Sequence, residues 1–393
     1  MKNQKALHIK DLILVFVLLF VSGNFLVREM TPYLYVILLI GLVLINPFIR
    51  FSKSLIFILV SVVIIFILQR FTLGFISLPA ALNYVSKILL GYMIVKSIND
   101  RFPFVYLKVM YYLSLISLFI FVIFLITNYI PTLIKFDRYN SVIIYNHIVH
   151  NNVFITRNSG MFWEPGAFQG YLNLVPLFFL DKIGDLWNNN KKECIVILIT
   201  ILSTQSTTGY LVLFLVILYH ITFRAKKRNI FYIILALSLC LYVFINTNFM
   251  RDKIFEQYEE VISLDIEGGQ ISWNRMGAAL TDWYYIKKHP IIGNGFHEKT
   301  RWSDHSFMQS DALKGFGNGF TGIIHTMGSV FIIIYFILLY KNLPFRSMDK
   351  MWFVFIIIIL LQGEDYLMYP FFLSLPFVKF GNRQFCKNGG IYA

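Results

Sequence analysis

Apolar runs long enough to cross a bilayer recur along almost the whole chain, parted by short links rich in Lys and Arg. Inside a bilayer every backbone N–H and C=O must find its partner within the protein, so only helices and closed barrels cross it. The runs here are continuous and read as helices. A crossing helix needs about 20 residues. The stretches that qualify, or nearly do, are Leu12–Val27, Tyr33–Ile49, Leu55–Leu68, Pro79–Val95, Val109–Ile130, Ala167–Ile183, Ile230–Asn246 and Thr321–Tyr340. Flanking charge settles two more. Cys194–Phe223 has Lys191 and Lys192 before it and Arg224, Lys226, Lys227 and Arg228 after it, so the chain must leave and return, with Ser203–Gly209 as the turn of a helical hairpin. Met351–Phe380 lies between Lys350 and Lys379 and divides at Gln362–Tyr366 by the same rule. The expected fold class is all-α, a polytopic integral membrane protein of about 12 transmembrane helices with both termini cytoplasmic and two long extracytoplasmic loops.

Composition excludes the soluble classes: of 393 residues 57% are hydrophobic and only 14% charged. The net charge of +14 invites a nucleic-acid reading, but well over half of the 35 Lys and Arg fall in the links assigned to the inside. The positive-inside rule accounts for them, and no nucleic-acid partner is expected. The basic Met1–Lys10 segment runs into the first apolar stretch with no small-residue cleavage site, so it reads as a retained first span. Cys194, Cys240 and Cys386 lie far apart, with no metal or disulfide spacing. His147 and His150 lack a third ligand close in sequence, and no metal or other cofactor is expected.

The segments expected are 1–130, N-terminal helices; 131–166, a first outer loop; 167–247, helices with the short hairpin; 248–320, a large outer loop; and 321–393, C-terminal helices and tail. Long loops in a compact protein usually carry function. In the larger loop Ile254, Tyr258, Val261 and Ile262 share a helical face, as do Met276, Leu280, Trp283 and Tyr284, which suits helices lying along a membrane surface. Trp163, Trp273, Trp283 and Trp302 sit in the two loops, either as an interfacial belt or as platforms for sugar rings. Ionisable groups near membrane depth are costly unless they face a polar cavity, which singles out Arg157, Glu164 and Arg275, and within a span Lys87. Gly160, Pro165 and Gly166 fix a turn around the first two.

Four motifs carry a family resemblance. "RNSGMFWEPGAFQGY", Arg157–Tyr171, resembles the motif that precedes a span in the O-antigen polymerase and O-antigen ligase superfamily. "STQSTTGYLVL", Ser203–Leu213, is similar to that family's small-polar run, and "NRMGAALTDWYYIKKHPIIGNGF", Asn274–Phe296, to its outer-loop signature. "GNGFTGIIHTMG", Gly317–Gly328, looks like its loop-to-span junction. The chain departs from the pattern at Thr207, where many members have arginine, and at His305, which Ser306 follows where ligases show asparagine.

The resemblance implies a GT-C-like glycosyltransferase of the bacterial cytoplasmic membrane that acts at its outer face on oligosaccharide carried by undecaprenyl diphosphate. The expected reaction is repeat-unit polymerisation of an O-antigen, capsule or exopolysaccharide, metal-independent and inverting. A ligase that transfers finished glycan to lipid A core or protein is the alternative, and a flippase or transporter the reading from another class. Arginine binds phosphate bidentately and stays ionised, so Arg157 and Arg275 are the candidates for the diphosphate. Glu164 and His305 are the candidates for general base. Trp163, Tyr171, Trp283 and Asn318 are candidate glycan contacts, with Glu364 and Asp365 ranked behind them. The lipid bilayer, the lipid-linked oligosaccharide and a chain-length regulator protein are the expected partners.

Overall fold

The computed structural model describes residues 8–28, 33–45, 49–129, 132–136, 139–150, 153–154, 156–224, 275–303 and 318–380, with a few isolated positions between 238 and 262 and the short pieces 384–385 and 391–392. The Ile230–Asn246 stretch, Cys240, Cys386, Trp273, His305 and most of the first amphipathic segment of the large loop lie outside these residues.

The fold is mostly helical. The first helices are α1 (Ile9–Gly23), α2 (Phe25–Arg28), α3 (Tyr33–Ile45), α4 (Lys53–Leu73), α5 (Leu78–Ile98) and α6 (Phe102–Thr127). The chain marks their ends with standard caps. The Ser52 hydroxyl accepts from the Leu55 N–H to start α4, left-handed Gly74 ends it, and Ser77 with Pro79 starts α5. The segment expected as the first outer loop is not irregular. It forms a small antiparallel sheet of β1 (Ile134–Phe136), β2 (Tyr139–Ser141), β3 (Asn146–His150) and β4 (Val153–Phe154) in simple meander order. Then come α7 (Pro165–Phe178), α8 (Ile183–Asn189), α9 (Lys191–Ser203) and α10 (Thr207–Tyr219). The hairpin inferred from flanking charge is the α9–α10 pair, turning at Thr204–Ser206 with the Ser206 hydroxyl capping α10. The last helices are α11 (Arg275–Ile286), α12 (Glu298–Arg301), α13 (Gly319–Asn342), α14 (Ser347–Gly363) and α15 (Pro370–Ser374).

Among the described residues four helical stretches are long and apolar enough to cross a membrane: Lys53–Leu73, the 50-residue Leu78–Thr127, Thr207–Arg224 and Gly319–Asn342. The expected number of about 12 crossings is not reached there. Several apolar runs fold as shorter helices, 15 residues in α1, 14 in α7 and 13 in α9. At 1.5 Å per residue these span roughly 20 Å against a hydrocarbon layer of about 30 Å. The last run also divides unevenly. After α14 the chain turns through Glu364–Tyr369, and α15 continues only as a 3-10 turn at Leu375–Phe377. The Tyr84 hydroxyl reaches the Leu367 carbonyl (3.3 Å), and a β-carbon on Gly91 would press on Pro370, so this turn is folded in against the middle of α5.

Helix α13 is broken. Gly328 takes φ +77°, ψ 170°, which interrupts the hydrogen-bond ladder nine residues after the helix starts. The Gly293–Gly295 turn, itself left-handed at both glycines, fills the break. The Asn294 and Gly295 N–H groups donate to the carbonyls of His325 (2.7 Å) and Thr326 (3.0 Å), while the Ser329 and Val330 N–H groups donate to Pro290 and Ile291. The Gln69 amide of α4 donates to Ile292 (2.6 Å) and Thr326 (2.8 Å). Backbone freed inside a membrane protein is tolerated where protein groups take it up again, and here two glycine turns and one glutamine do so.

Candidate functional site

The Arg157–Glu164 loop is tied to four neighbours. The Asn158 N–H donates to the Ser203 carbonyl (3.1 Å), and its amide reaches the Ser117 and Ser203 hydroxyls (3.3 and 3.0 Å). The Ser159 hydroxyl donates to the Asn146 carbonyl of β3, and the Trp163 N–H to Gly23 at the end of α1 (2.9 Å). Left-handed Gly160 makes the turn. Arg157 itself donates from Nε to the Thr204 carbonyl (3.1 Å), at the tip of the α9–α10 hairpin. Glu164 stands at the N-cap of α7 with extended backbone and no side-chain cap bond, and Pro165 starts the helix.

Two residues remote in sequence close the site. Glu364, at the end of α14, accepts from Arg275 Nη2 on Oε1 (2.6 Å) and from the Trp163 indole on Oε2 (3.1 Å). Arg275 Nη1 also reaches the Thr208 hydroxyl (3.4 Å). Gly166 makes the approach possible: a β-carbon there would collide with Glu364 and stand 2.7 Å from Arg275 Nη2. The Tyr366 hydroxyl holds the turn in register by donating to the Gly166 and Ala167 carbonyls (2.9 and 3.1 Å).

Two arginines and two carboxylates thus share one place, in which Glu364 is buried and Arg157, Glu164 and Arg275 are half-buried. Burial, together with the Arg275 charge, draws the Arg157 guanidinium below its ordinary value, against the pull of Glu164, Glu364 and Tyr210. Burial opposes the Arg275 charge too, yet Glu364 and Glu164 hold that guanidinium above its ordinary value. Burial and the nearby Glu164 carboxylate push Glu364 up to about 7, against Arg275 and the Trp163 N–H. A carboxyl so poised exchanges a proton near neutrality and releases or holds Arg275 as it does so.

Of the remaining candidates Trp163 belongs to this cluster through its bond to Glu364, and the others are dispersed. Trp163 is buried, stacked on Tyr369 at 4.8 Å. Tyr171 is a core residue of α7 whose hydroxyl donates to the Ser22 carbonyl (2.8 Å). Asn318 caps α13 through the Phe320 and Thr321 N–H groups and donates to Gln362 (2.9 Å). Trp283 is 54% exposed on the outer face of α11, with Met276 and Leu280. That helix packs inward by the opposite face, Ala278, Thr281, Asp282 and Tyr285. Lys87 lies beneath the site, its ammonium 5.0 Å from the Tyr35 ring and 5.6 Å from that of Tyr369.

A second polar cluster adjoins the first. Asp282 Oδ1 faces His325 Nδ1 (2.7 Å), Asp282 Oδ2 accepts from the Thr321 hydroxyl (2.7 Å), and His325 Nε2 faces the Arg301 carbonyl (2.9 Å). The Arg301 guanidinium lies over the Trp302 ring at 4.7 Å. Sequence reasoning passed over Asp282, Arg301 and His325. The one signal was spacing, since Asp282 stands seven residues after Arg275, two turns on along one face of α11.

Searches for similar proteins find no matching family model, no matching curated protein and no matching solved structure.

Proposed function

We propose that this chain polymerises a surface polysaccharide, an O-antigen, capsule or exopolysaccharide, by moving a glycan from undecaprenyl diphosphate to a sugar hydroxyl of the next lipid-linked unit. The observation that carries this reading is the meeting of Arg157 and Arg275 with Glu164 and Glu364 in one half-buried place at helix ends. Arginine forks suit a diphosphate, and in a buried setting such contacts stabilise the negative charge that grows on the leaving group. The diphosphate would take Arg275 from Glu364, which then carries a proton, and Arg157 would grip the same group from the α9–α10 side. Glu164 is the general-base candidate within this cluster. No metal is required, because the two guanidinium groups supply the charge.

In this reading the protein is a multi-pass, GT-C-like enzyme of the bacterial cytoplasmic membrane with about 12 crossings and cytoplasmic termini, the site opening to the outer face. A chain-length regulator is its natural protein partner. The test is a gel of surface glycan from producing cells that lack the gene, rescued with wild type, Arg157→Ala or Arg275→Ala at matched protein levels. A single repeat unit in place of the ladder, in the knockout and in both variants, is the expected result. Full-length polymer stranded on its lipid carrier would identify a ligase, and an unchanged ladder would refute both.

A further inference from the structure

Gln69 is held at one end of its amide only. The nitrogen donates to the Ile292 and Thr326 carbonyls (2.6 and 2.8 Å), and these two acceptors fix which end is nitrogen. The amide oxygen is buried and finds no hydrogen-bond partner among the described residues. A buried acceptor left in this way is uncommon in a native fold. Gln69 borders a small cavity, about 240 Å³ with its mouth included, between the end of α4, the start of α5 and the Gly295–Thr300 segment. Gly295 leaves the space in front of the oxygen open. A β-carbon there would stand 3.6 Å from Gln69 Oε1 and 3.4 Å from the Thr300 hydroxyl, so two polar atoms flank one spot that no side chain fills.

The lining selects the occupant. Phe66, Phe75 and Phe296 form apolar walls, and among the described residues no carboxylate, lysine or arginine lines the cavity. A phosphate or an ammonium would lose its water there without a counter-charge, which is costly. Neutral hydroxyls meet partners of both kinds. Gln69 Oε1 accepts from one, and the Thr300 oxygen, whose own proton goes to the His297 carbonyl (3.1 Å), accepts from its neighbour. The Ser77 oxygen takes the Ala80 N–H (3.4 Å) and has its proton to give, and His297 Nδ1 takes the Lys299 N–H (3.2 Å), which leaves Nε2 as the donor of the neutral ring. Phe75, at 46% the most exposed of the lining side chains, marks the mouth, just past the end of a helix long and apolar enough to cross a membrane. Lipid head groups lie at that level.

We propose that this cavity seats the neutral, hydroxylated head group of a membrane lipid, with adjacent hydroxyls donating to Gln69 Oε1 and to Thr300. The glycerol of a phospholipid and the sugar of a glycolipid present this same chemistry. A cavity smaller than the roughly 300 Å³ at which ordinary ligand pockets begin takes one such unit and no longer glycan. The site stands apart from the Arg157–Glu364 cluster and does not rest on the polymerase reading. It bears on the fold through Gln69, because an occupant that holds the amide oxygen also holds the nitrogen that takes up the carbonyls around the break in α13.

The test is native mass spectrometry of the full chain in detergent, offered one lipid at a time with the acyl chains kept the same: phosphatidylglycerol, a monoglucosyl diacylglycerol, phosphatidylethanolamine or phosphatidic acid. Wild type is compared with Thr300→Val, which keeps the shape and removes one polar contact, and with Ile76→Trp, which fills the cavity from the α4–α5 link. Wild type should bind at least one of the two hydroxylated lipids about 5-fold more tightly than either of the others, the effect of roughly one net hydrogen bond. The preference should fall to about 2-fold in Thr300→Val and vanish in Ile76→Trp. Preference for phosphatidylglycerol alone identifies glycerol as the occupant, and preference for the glucosyl lipid alone identifies a sugar. Equal binding of all four lipids by wild type overturns the site and leaves the cavity to water. So does a preference that survives unchanged in folded Ile76→Trp. If Ile76→Trp fails to fold, Thr300→Val decides, and an undiminished preference there overturns the proposal. The readout is lipid binding, so its outcome is separate from any test of chain growth.

Discussion

Glu364 stands between a cation and a second anion, and its proton decides what Arg275 is free to do. Above about 7 the carboxylate holds Arg275; below that value it is neutral and the guanidinium is available. A diphosphate esterified at both ends has no ionisation near neutrality, so a pH effect on its binding reports the protein. Undecaprenyl diphosphate linked to sugar should therefore bind about 10-fold more tightly at pH 6 than at pH 8, because the competent fraction changes by that factor. Glu364→Gln should bind tightly at both values, and a titration of binding across this range checks the pair. Arg275→Lys is the matching probe of geometry, since it keeps the charge and loses the fork. It should lower chain growth by one to two orders of magnitude, roughly, with the protein still folded, read as rate at saturating lipid-linked unit. The arginines were legible in the sequence because charge beside an apolar run is costly. Glu364 was legible only as a second-line glycan contact and not as the partner of Arg275, because a carboxylate in a short turn reads as solvated until the fold brings Arg275 to it from 89 residues away.

At the scale of elements, the break in α13 sets where the second polar cluster can stand. His325 lies one turn before Gly328, and its carbonyl is released from the helix to meet Asn294, which holds α13 against the segment that leads on to Arg301. The sequence displayed both halves of this clasp, "HPIIGNG" and "IIHTMG", as glycine turns next to apolar runs. It did not display that each supplies the other's missing backbone partners, because pairing between distant turns leaves no periodic trace. The clasp makes a sharp prediction. A β-carbon at Gly328 would collide with the Ile291 carbonyl, and its backbone, φ +77° with ψ 170°, costs an L-residue about 1–3 kcal/mol before any contact is counted. Gly328→Ala should lower the thermal unfolding midpoint in detergent and reduce chain growth with it. Gly41→Ala, in α3 with nothing within 4 Å, is the control and should leave both unchanged or raise stability slightly.

The whole molecule is polarised along its helices. Asp11, Glu193 and Asp349 open α1, α9 and α14, and they pair with Arg101 (2.6 Å), Lys108 (2.5 Å) and Arg224 respectively. The far ends of the same three helices, Gly23, Ser203 and Gly363, border the Arg157–Glu364 site. Between the two ends α4 is apolar on every side, with Ile58, Val62 and Ile65 buried and Phe57, Val60, Ile64 and Phe71 exposed. An all-round apolar helix at a protein surface belongs in lipid. The basic ends should face the cytoplasm and the site the opposite side, where the proposed polymerase would meet its lipid-linked units. With Cys194, Cys240 and Cys386 replaced by serine, a cysteine at Asn99 or Arg346 should react with a membrane-impermeant maleimide only after permeabilisation. A cysteine at Asn128 or Lys299 should react in intact cells. The reverse pattern would place Arg157, Arg275 and Glu364 on the cytoplasmic side, where a polymerase of exported units has no substrate, and would require a different function for the site.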